Sequence, residues 1–354
     1  MIELVAALAV VSLLIVVHEL GHFVVAKHLG LRVDEFALGY PPRLFTLFRV
    51  ADTEYTLNLI PFGAYVRLPE EAEPHRLLNN RPAIQRAAFL LAGPFLNLLL
   101  ALVLFTVCFA TGWPEAHDLA VAVNKVLPGS VGEAVGFRDN DLILAVDDRP
   151  VSSVLELVVY ARSVSGAVRS ATLRREGRRI TLRLPAGGAW FTKTESRGVD
   201  LRNGAGWVET VAYPLPQALI RGTGEAFSCV TSLLLLLVDI LRGLIPVDLV
   251  RPVGPVGIAQ LAGRATTEAL ASGWWFPLLQ LTATLSGALA ATNLLPLPGF
   301  DGGRLLFVVL EALRGKRISP RRESLVHLIG LILMLMLILI ISYYDITRPI
   351  QVHR

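Results

Sequence analysis

Charged residues and cysteines are scarce in this sequence of 354 residues. Only 18% of its residues are charged and 53% are apolar, whereas a soluble domain typically has about 25% charged residues. The two cysteines, Cys108 and Cys229, are too few for a disulfide framework and offer no Cys-x-x-Cys metal site. The formal net charge is only +4 and no Lys/Arg-rich run is interleaved with aromatics, so we expect no nucleic-acid partner. This composition excludes a disordered or fibrous chain and predicts a protein partly surrounded by lipid.

Four segments are candidates to cross a lipid bilayer, which requires about 20 apolar residues. They comprise residues 2–26, 87–110, 276–297 and 325–341. The third is less apolar than the others and is interrupted by Gly287 and Asn293. The first lacks a basic N-terminal region and carries histidines where the apolar part of a signal peptide would continue, so we predict a retained helix. The expected fold class is an α-helical polytopic membrane protein with four transmembrane helices.

A segment of different character lies between the second and third of these spans. Between residues 118 and 186, short apolar and polar stretches alternate and are separated by turn signals such as Glu176-Gly177. The predicted strands are Leu119–Val126, Leu142–Val146, Ala171–Arg175 and Arg178–Leu184, with a helix over Val154–Arg162. These elements predict one compact domain of mostly β character.

Residues 217–245 are apolar in the middle and charged towards both ends, where Arg221 and Asp239 lie. An uninterrupted apolar run of about a dozen residues favours an interfacial or re-entrant helix over a membrane span. We therefore predict an interfacial helix here.

Lysine and arginine residues near the span ends predict the orientation of the chain. The basic residues are Lys27, Arg32, Arg43, Arg49, Arg81 and Arg86 between the first two spans, and Arg314, Lys316, Arg317, Arg321 and Arg322 before the last. Both loops are expected in the cytoplasm. The N-terminus and the β domain are then expected on the other side of the membrane.

The first span contains the pentapeptide His18-Glu19-Leu20-Gly21-His22. On a helix, residues four positions apart share a face, so the two imidazoles can converge on one metal ion. Glu19 lies beside that face, where a general base could reach a water molecule. The alternative is a chance match in a polar stripe, but ionisable groups inside a membrane helix are costly and usually functional. We predict a zinc site.

A catalytic zinc site of this type needs a third protein ligand, and Asp301 is the best candidate. It follows a stretch from Asn293 to Phe300 whose prolines and glycine break the helix, and backbone freed at membrane depth is tolerated only inside protein or beside a cavity. Asp301 could instead cap the helix that follows. Glu311, a few turns further along, is the weaker rival ligand.

The requirement that these three ligands meet constrains where residues 217–245 can lie. The first span runs inwards with its histidines in the inner half, and Asp301 ends the span over residues 276–297. Both spans must run in the same direction for the ligands to meet. Residues 217–245 are therefore expected to stay on the outer side.

Four motifs in this order resemble the bacterial site-2 proteases, a family of zinc intramembrane proteases with an extracytoplasmic PDZ domain. The motifs are His18–His22, Gly93–Asn97, Gly254–Ala259 and Asn293–Gly303. The resemblance covers nearly the whole chain. One departure is Phe300, where the family usually has leucine before Asp-Gly, and this change is expected to alter packing rather than metal binding.

The resemblance implies a membrane-associated β-hairpin between the first two spans, over residues 56–68. The alternation there and the turn at Pro61-Phe62-Gly63 independently favour a hairpin. An open strand edge could hold an unwound substrate segment by β-augmentation. The candidate substrate-binding residues are Asn58, Ile60, Pro61, Gly63 and Tyr65. The alternative is an ordinary cytoplasmic hairpin.

The β domain resembles a single PDZ domain of this family, although Asn140 replaces the usual glycine before Asp141. That departure puts a peptide groove in doubt. The domain either contacts a substrate tail or excludes bulky ectodomains by size, and the residues favour neither role.

Asn97 and Asn293 are polar residues at membrane depth. They could face the active site and hydrogen-bond substrate backbone or the developing oxyanion. The alternative is a hydrogen bond between helices. We favour a cavity role for Asn293, which shares a broken helix with Asp301, and leave both roles open for Asn97.

The sequence therefore predicts a zinc-dependent intramembrane endopeptidase in the inner (plasma) membrane, with Zn²⁺ bound by His18, His22 and Asp301 towards the cytoplasmic side. Glu19 is the expected general base. By resemblance, the partner is a single-span membrane protein already shortened by another protease, such as an anti-sigma factor or a signal-peptide remnant. The rival functions are an ion-coupled transporter, for which we find no internal repeat, and a silent PDZ scaffold, which would have lost a ligand or Glu19.

Four regions are expected along the chain. They are residues 1–117 with two spans and the hairpin, 118–186 as the PDZ domain, 187–265 as a linker and interfacial helix, and 266–354 with the last two spans.

Overall fold

The structure is a computed structural model that describes residues 2–69, 76–186, 188–245, 250, 252–316 and 320–347. Arg317, one of the basic residues used to predict the orientation, lies outside the described residues. The chain divides into two compact units. One contains Met1–Thr111, Tyr213–Leu235 and Pro252–Arg354, and the other contains Gly112–Ala212 and Leu236–Arg251.

Helices and strands both occur along the described part of the chain, and its last five α-helices are consecutive. The helices are α1 (Ile2–His28), α2 (Ala83–Thr111), α3 (Val131–Val135), α4 (Val154–Ser163), α5 (Leu215–Leu241), α6 (Pro255–Ser272), α7 (Phe276–Leu294), α8 (Asp301–Arg314) and α9 (Pro320–Thr347). The strands are β1 (Glu35–Val50), β2 (Thr53–Arg67), β3 (Trp113–Val126), β4 (Leu142–Val146), β5 (Arg149–Pro150), β6 (Ser170–Arg175), β7 (Arg178–Arg183), β8 (Glu195–Ser196) and β9 (Val199–Val211).

Four helices in the described part of the chain are long and apolar enough to cross a membrane. They are α1, α2, α5 and α9. This confirms a membrane protein with four candidate spans, but the set differs from the prediction because it contains α5 and lacks α7. Residues 217–245 were predicted as an interfacial helix from a short apolar run; they lie mostly on α5, a continuous helix of 27 residues that by length and composition could also cross a membrane.

The lower hydropathy of α7 has a physical explanation in its packing. Ser286 is buried against α2, and its hydroxyl donates a hydrogen bond of 2.7 Å to the carbonyl of Asn97. Small and polar residues of this kind suit contacts between membrane helices rather than contacts with lipid. A helix covered by its neighbours therefore needs fewer apolar residues than one surrounded by lipid.

The strands β1 and β2 pair antiparallel and form a sheet with an unusual register. Phe36 lies opposite Tyr55 on one side and opposite Val66 on the other. The predicted hairpin over residues 56–68 is therefore not closed on itself, because its two arms flank residues 35–38 of β1. Residues 64–67 form one outer edge of this sheet.

The second unit is built on a sheet with strand order β7-β6-β4-β3-β9-β8, in which β5 pairs with β4. The four predicted strands and the predicted helix of this region are present. The predicted linker from residue 187 contains β9 instead, which pairs with β3 from Trp113 to Val126. Trp190 and Phe191, also from this stretch, are completely buried in the core.

Candidate metal centre

The histidines of α1 meet on one face of the helix, as their spacing predicts. The Nε2 atoms of His18 and His22 lie 3.1 Å apart, and both side chains are buried. The Nδ1 atom of His22 is 2.8 Å from the carbonyl oxygen of Phe89 on α2, which can accept its proton. This contact orients the ring so that Nε2 is left for another partner.

Asp301 is the first residue of α8 and reaches the same point. Its Oδ2 atom lies 3.1 Å from Nε2 of His18 and 3.2 Å from Nε2 of His22. The turn before α8 depends on glycine: a Cβ atom on Gly302 would lie 2.4 Å from the carbonyl oxygen of Leu294, and one on Gly303 would lie 2.2 Å from that of Leu297. The rival ligand Glu311 pairs with Arg86 instead, at 2.9 and 3.0 Å.

The three ligand atoms fit a zinc ion. In a tetrahedral site with bonds of about 2.0–2.1 Å, neighbouring ligand atoms are about 3.3 Å apart. The separations of 3.1, 3.1 and 3.2 Å are close to that value. Two imidazole nitrogens and one carboxylate oxygen form a catalytic donor set that leaves one position open. His18, His22 and Asp301 could therefore hold Zn²⁺.

Glu19 lies beside the ligands and takes no part in the cluster. Its Oε2 atom accepts a hydrogen bond of 3.2 Å from the backbone N–H of Val66, on the outer edge of the β1–β2 sheet. The candidate general base and the strand edge are therefore directly connected. Sequence reasoning missed this contact because a backbone donor has no side-chain signature.

Two glycines bring α1 and α2 into close contact at the site. A Cβ atom on Gly21 would lie 2.3 Å from the carbonyl oxygen of Ala92. A Cβ atom on Gly93 would lie 2.5 Å from Nε2 of His22 and 2.6 Å from Nε2 of His18. The space beside the ligand atoms thus exists only because Gly93 lacks a side chain. The glycine within an apolar span was the signal that could have predicted this role.

The two asparagines at membrane depth have different surroundings. Asn97 is completely buried, and its Nδ2 atom lies 3.2 Å from Nδ1 of His18. Asn293 donates to the carbonyl of Leu289, one turn back in its own helix, at 3.0 Å. Asn97 is thus the asparagine that contacts a candidate metal ligand.

The predicted substrate-binding residues divide by exposure. Ile60 and Pro61 are exposed, whereas the side chains of Asn58 and Tyr65 bond within the sheet, to the carbonyl of Gly39 at 3.1 Å and to Glu35 at 3.1 Å. The N–H of Gly63 donates to the hydroxyl of Ser12 on α1 at 3.2 Å.

Glu35 lies at the centre of this sheet, with a side chain that is only 1% exposed. Its Oε1 atom accepts hydrogen bonds from Thr56 at 2.8 Å and from Arg43 at 2.6 Å. Its Oε2 atom accepts one from Tyr65 and pairs with Arg67, both at 3.1 Å. This one carboxylate therefore links the two arms of β2, and it holds the residues on either side of Val66.

Glu35 should make this sheet sensitive to acid. Burial raises its pKa, but hydrogen bonds from Thr56, Arg43 and Tyr65 together with the Arg67 charge lower it further, so the net pKa is below the ordinary value. A carboxylate with a depressed folded-state pKa stabilises the fold above its unfolded pKa, and this stability is lost as the pH falls below about 4.

We expect Glu35→Gln to lower the stability of this sheet by about 2 kcal/mol at neutral pH and to remove most of its acid sensitivity. Hydrogen exchange of residues 35–38 and 64–67, measured at neutral and acidic pH, checks both effects. Glu54→Gln is the matched control, because Glu54 also binds Arg43, at 2.8 Å, but is partly exposed. Equal acid sensitivity in Glu35→Gln and the unmodified protein would contradict the assignment.

The site and fold together define a metallopeptidase embedded in the membrane, and sequence comparisons agree. The model of peptidase family M50 matches residues 6–337. The chain is 31% identical to a protein of Clostridium perfringens over 97% of this chain and 98% of that one. It is 26% identical to zinc metalloprotease RasP of Oceanobacillus iheyensis, over 98% of this chain and 99% of the relative.

The chain therefore belongs to peptidase family M50, the site-2 proteases. It is a zinc metalloprotease and its cofactor is Zn²⁺.

Proposed function

We propose that this protein is an intramembrane endopeptidase that cleaves the transmembrane segments of single-span membrane proteins. The proposal rests on one observation. His18 and His22, on a helix long and apolar enough to span a membrane, lie together with Asp301 of α8, beside Glu19. A hydrolytic centre at that depth is suited to a peptide bond within the membrane.

Each residue of the centre has a distinct proposed role. His18, His22 and Asp301 hold Zn²⁺, which supplies Lewis-acid chemistry for peptide hydrolysis when bound. Glu19, held by the N–H of Val66, removes a proton from the attacking water and later delivers it to the leaving amine. The carboxylate needs no metal contact for this role.

A substrate helix must unwind before water can attack, because its carbonyl groups are engaged in helical hydrogen bonds. We propose that the unwound segment pairs with the outer edge of the sheet at residues 64–67, beside Glu19. The exposed side chains of Ile60 and Pro61 are available for substrate contacts. Asn58, Gly63 and Tyr65 are proposed to act by shaping this edge, and Asn293 by lining the cavity near Asp301.

The proposed topology follows from the same ligand set. His18 and His22 lie in the C-terminal half of α1, and Asp301 lies shortly after the end of α7. We propose that both helices run towards the cytoplasm, so that α2 is the only return crossing between them. A single further crossing by α5 would put Asp301 on the wrong side. We therefore propose that α5 stays at the outer face despite its length, and that α7 is the third span.

We propose that residues 118–186 form an extracytoplasmic PDZ domain and that the protein resides in the inner (plasma) membrane. The antiparallel sheet with its two capped helices supports a PDZ-like fold: Ser130 and Ser153 cap α3 and α4. The proposed substrates are already shortened outside the membrane by another protease. Anti-sigma factors and signal-peptide remnants fit that description.

The proposal is tested with purified protein and a model substrate that has one transmembrane helix and a short outer segment. We expect cleavage within the transmembrane segment, located by mass spectrometry. The same helix carrying a large folded outer domain should be cleaved more slowly. Cleavage confined to segments outside the membrane would contradict the proposal.

Asp301→Ala should remove both the bound zinc and the cleavage activity, because only two ligands remain. Metal analysis of the purified variant measures the first effect and the model substrate measures the second. Glu311→Gln is the control, since Glu311 pairs with Arg86 and is expected to leave zinc content unchanged. Full zinc occupancy in Asp301→Ala would exclude Asp301 from the ligand set.

A further inference from the structure

The side chain of Asn97 contacts His18, a candidate metal ligand, at Nδ1, the ring nitrogen that does not face Asp301. Asn97 is completely buried on α2, and its Nδ2 atom lies 3.2 Å from Nδ1 of His18. Its other terminal atom, Oδ1, is also buried and has no hydrogen-bond partner among the described residues. A buried amide oxygen without a partner is costly, so this arrangement calls for an explanation.

The position of the proton on the His18 ring supplies an explanation. A neutral imidazole that binds metal through Nε2 carries its proton on Nδ1, which is then a hydrogen-bond donor. The amide nitrogen of Asn97 is also a donor, and two donors cannot bond each other. Rotating the amide by half a turn exchanges its nearly identical oxygen and nitrogen atoms. Oδ1 then faces Nδ1 of His18 and accepts its proton, and the NH2 group takes the position that Oδ1 occupied before.

The neighbouring histidine has the same arrangement. Nδ1 of His22 lies 2.8 Å from the carbonyl oxygen of Phe89, which is also on α2. Each histidine is therefore matched by one acceptor from the same helix. A hydrogen bond from α7 also fixes the backbone of Asn97, because the hydroxyl of Ser286 donates to the Asn97 carbonyl at 2.7 Å.

We propose that Asn97 is a positioning residue that holds His18 for zinc by accepting the proton on its Nδ1 atom. This inference rests on the proposed role of His18 as a zinc ligand. It assigns the side chain of Asn97 to His18 rather than to the substrate or the oxyanion. Acceptors of this kind fix the tautomer and ring orientation of a metal-binding histidine.

Zinc affinity is the direct test, measured by competition with a chromophoric chelator in detergent. Asn97→Leu has a similar volume but no acceptor, and its affinity should fall by about 10–100-fold. Asn97→Asp keeps an oxygen acceptor and should bind zinc at least as tightly as the unmodified protein. The visible spectrum of bound Co²⁺ should change in Asn97→Leu, since it reports the orientation of the ligands.

Thr106→Val is the matched control. Thr106 is a buried polar residue of the same helix whose hydroxyl bonds within α2, to the carbonyl of Leu102 at 2.8 Å. Its replacement should leave zinc affinity unchanged. Unaltered affinity in Asn97→Leu would overturn the inference, as would a tenfold weaker affinity in Asn97→Asp. Failure of the unmodified protein to bind stoichiometric zinc would instead refute the proposed zinc ligands.

Discussion

Replacing Glu19 with glutamine is expected to reduce cleavage of a transmembrane substrate by about 10²–10⁴-fold while the protein retains its zinc. Glutamine has nearly the same shape and can still accept the hydrogen bond from Val66, but it cannot take a proton from water. The three ligand atoms belong to other residues, so metal binding should be unaffected. Cleavage rates and metal content of the same preparation measure the two effects.

The separation of these effects makes the experiment decisive. Glu54→Gln is the control: it changes a carboxylate of the β1–β2 sheet that is not in the candidate ligand set, and it should retain cleavage. If Glu19→Gln cleaved at the normal rate, Glu19 would not be the base. If it lost zinc as well, Glu19 would instead contribute to the metal site.

Gly93→Ala is expected to abolish both zinc binding and cleavage. The added methyl group would lie 2.5 Å from Nε2 of His22 and 2.6 Å from Nε2 of His18, well inside van der Waals contact. Because these two nitrogens are the proposed ligand atoms, either the rings must turn away or α2 must move out. Metal content and cleavage should therefore fall together to the level of Asp301→Ala.

Gly224→Ala provides the matched control for this change. Gly224 also lies within a long helix, α5, but a Cβ atom there would meet nothing within 4 Å. The substitution should leave zinc content and cleavage unchanged and should favour the helix slightly, because alanine has the higher helix propensity. Normal zinc content in Gly93→Ala would show that the rings can bind metal with less space than the structure provides.

The elements that the sequence predicted well are those with a local signature. The strands of the second unit lie between turn signals, and the histidines share a helix face by spacing alone. Asp301 was singled out because it follows a break in a predicted membrane helix, and the structure places it beside both histidines. Strand β9 was missed because Asn203, Gly204 and Gly206 weaken the strand pattern, and its pairing with β3 bridges a long stretch of chain.

The features that were not predicted depend on which surfaces meet. Residues 35–38 pair with a strand on each side. The alternation of apolar and polar residues could not predict this, because a closed hairpin would show the same alternation. The contact between Glu19 and Val66 joins a helix to a backbone amide 47 residues away. The assignment of α5 and α7 was difficult for a similar reason: hydropathy reflects what surrounds a helix, and α7 buries part of its surface against other helices.

The close approach of α1 and α2 has a consequence for how the protein should be handled. Helix α1 carries the two candidate histidine ligands, while α2 supplies the Phe89 carbonyl and the Asn97 side chain that contact them and the space left by Gly93. The proposed metal site therefore depends on the distance between α1 and α2, besides the position of Asp301 on α8. A detergent or bilayer that separates them slightly should release zinc while each helix stays intact. Retention of zinc would thus be a more sensitive criterion of a native preparation than helical content.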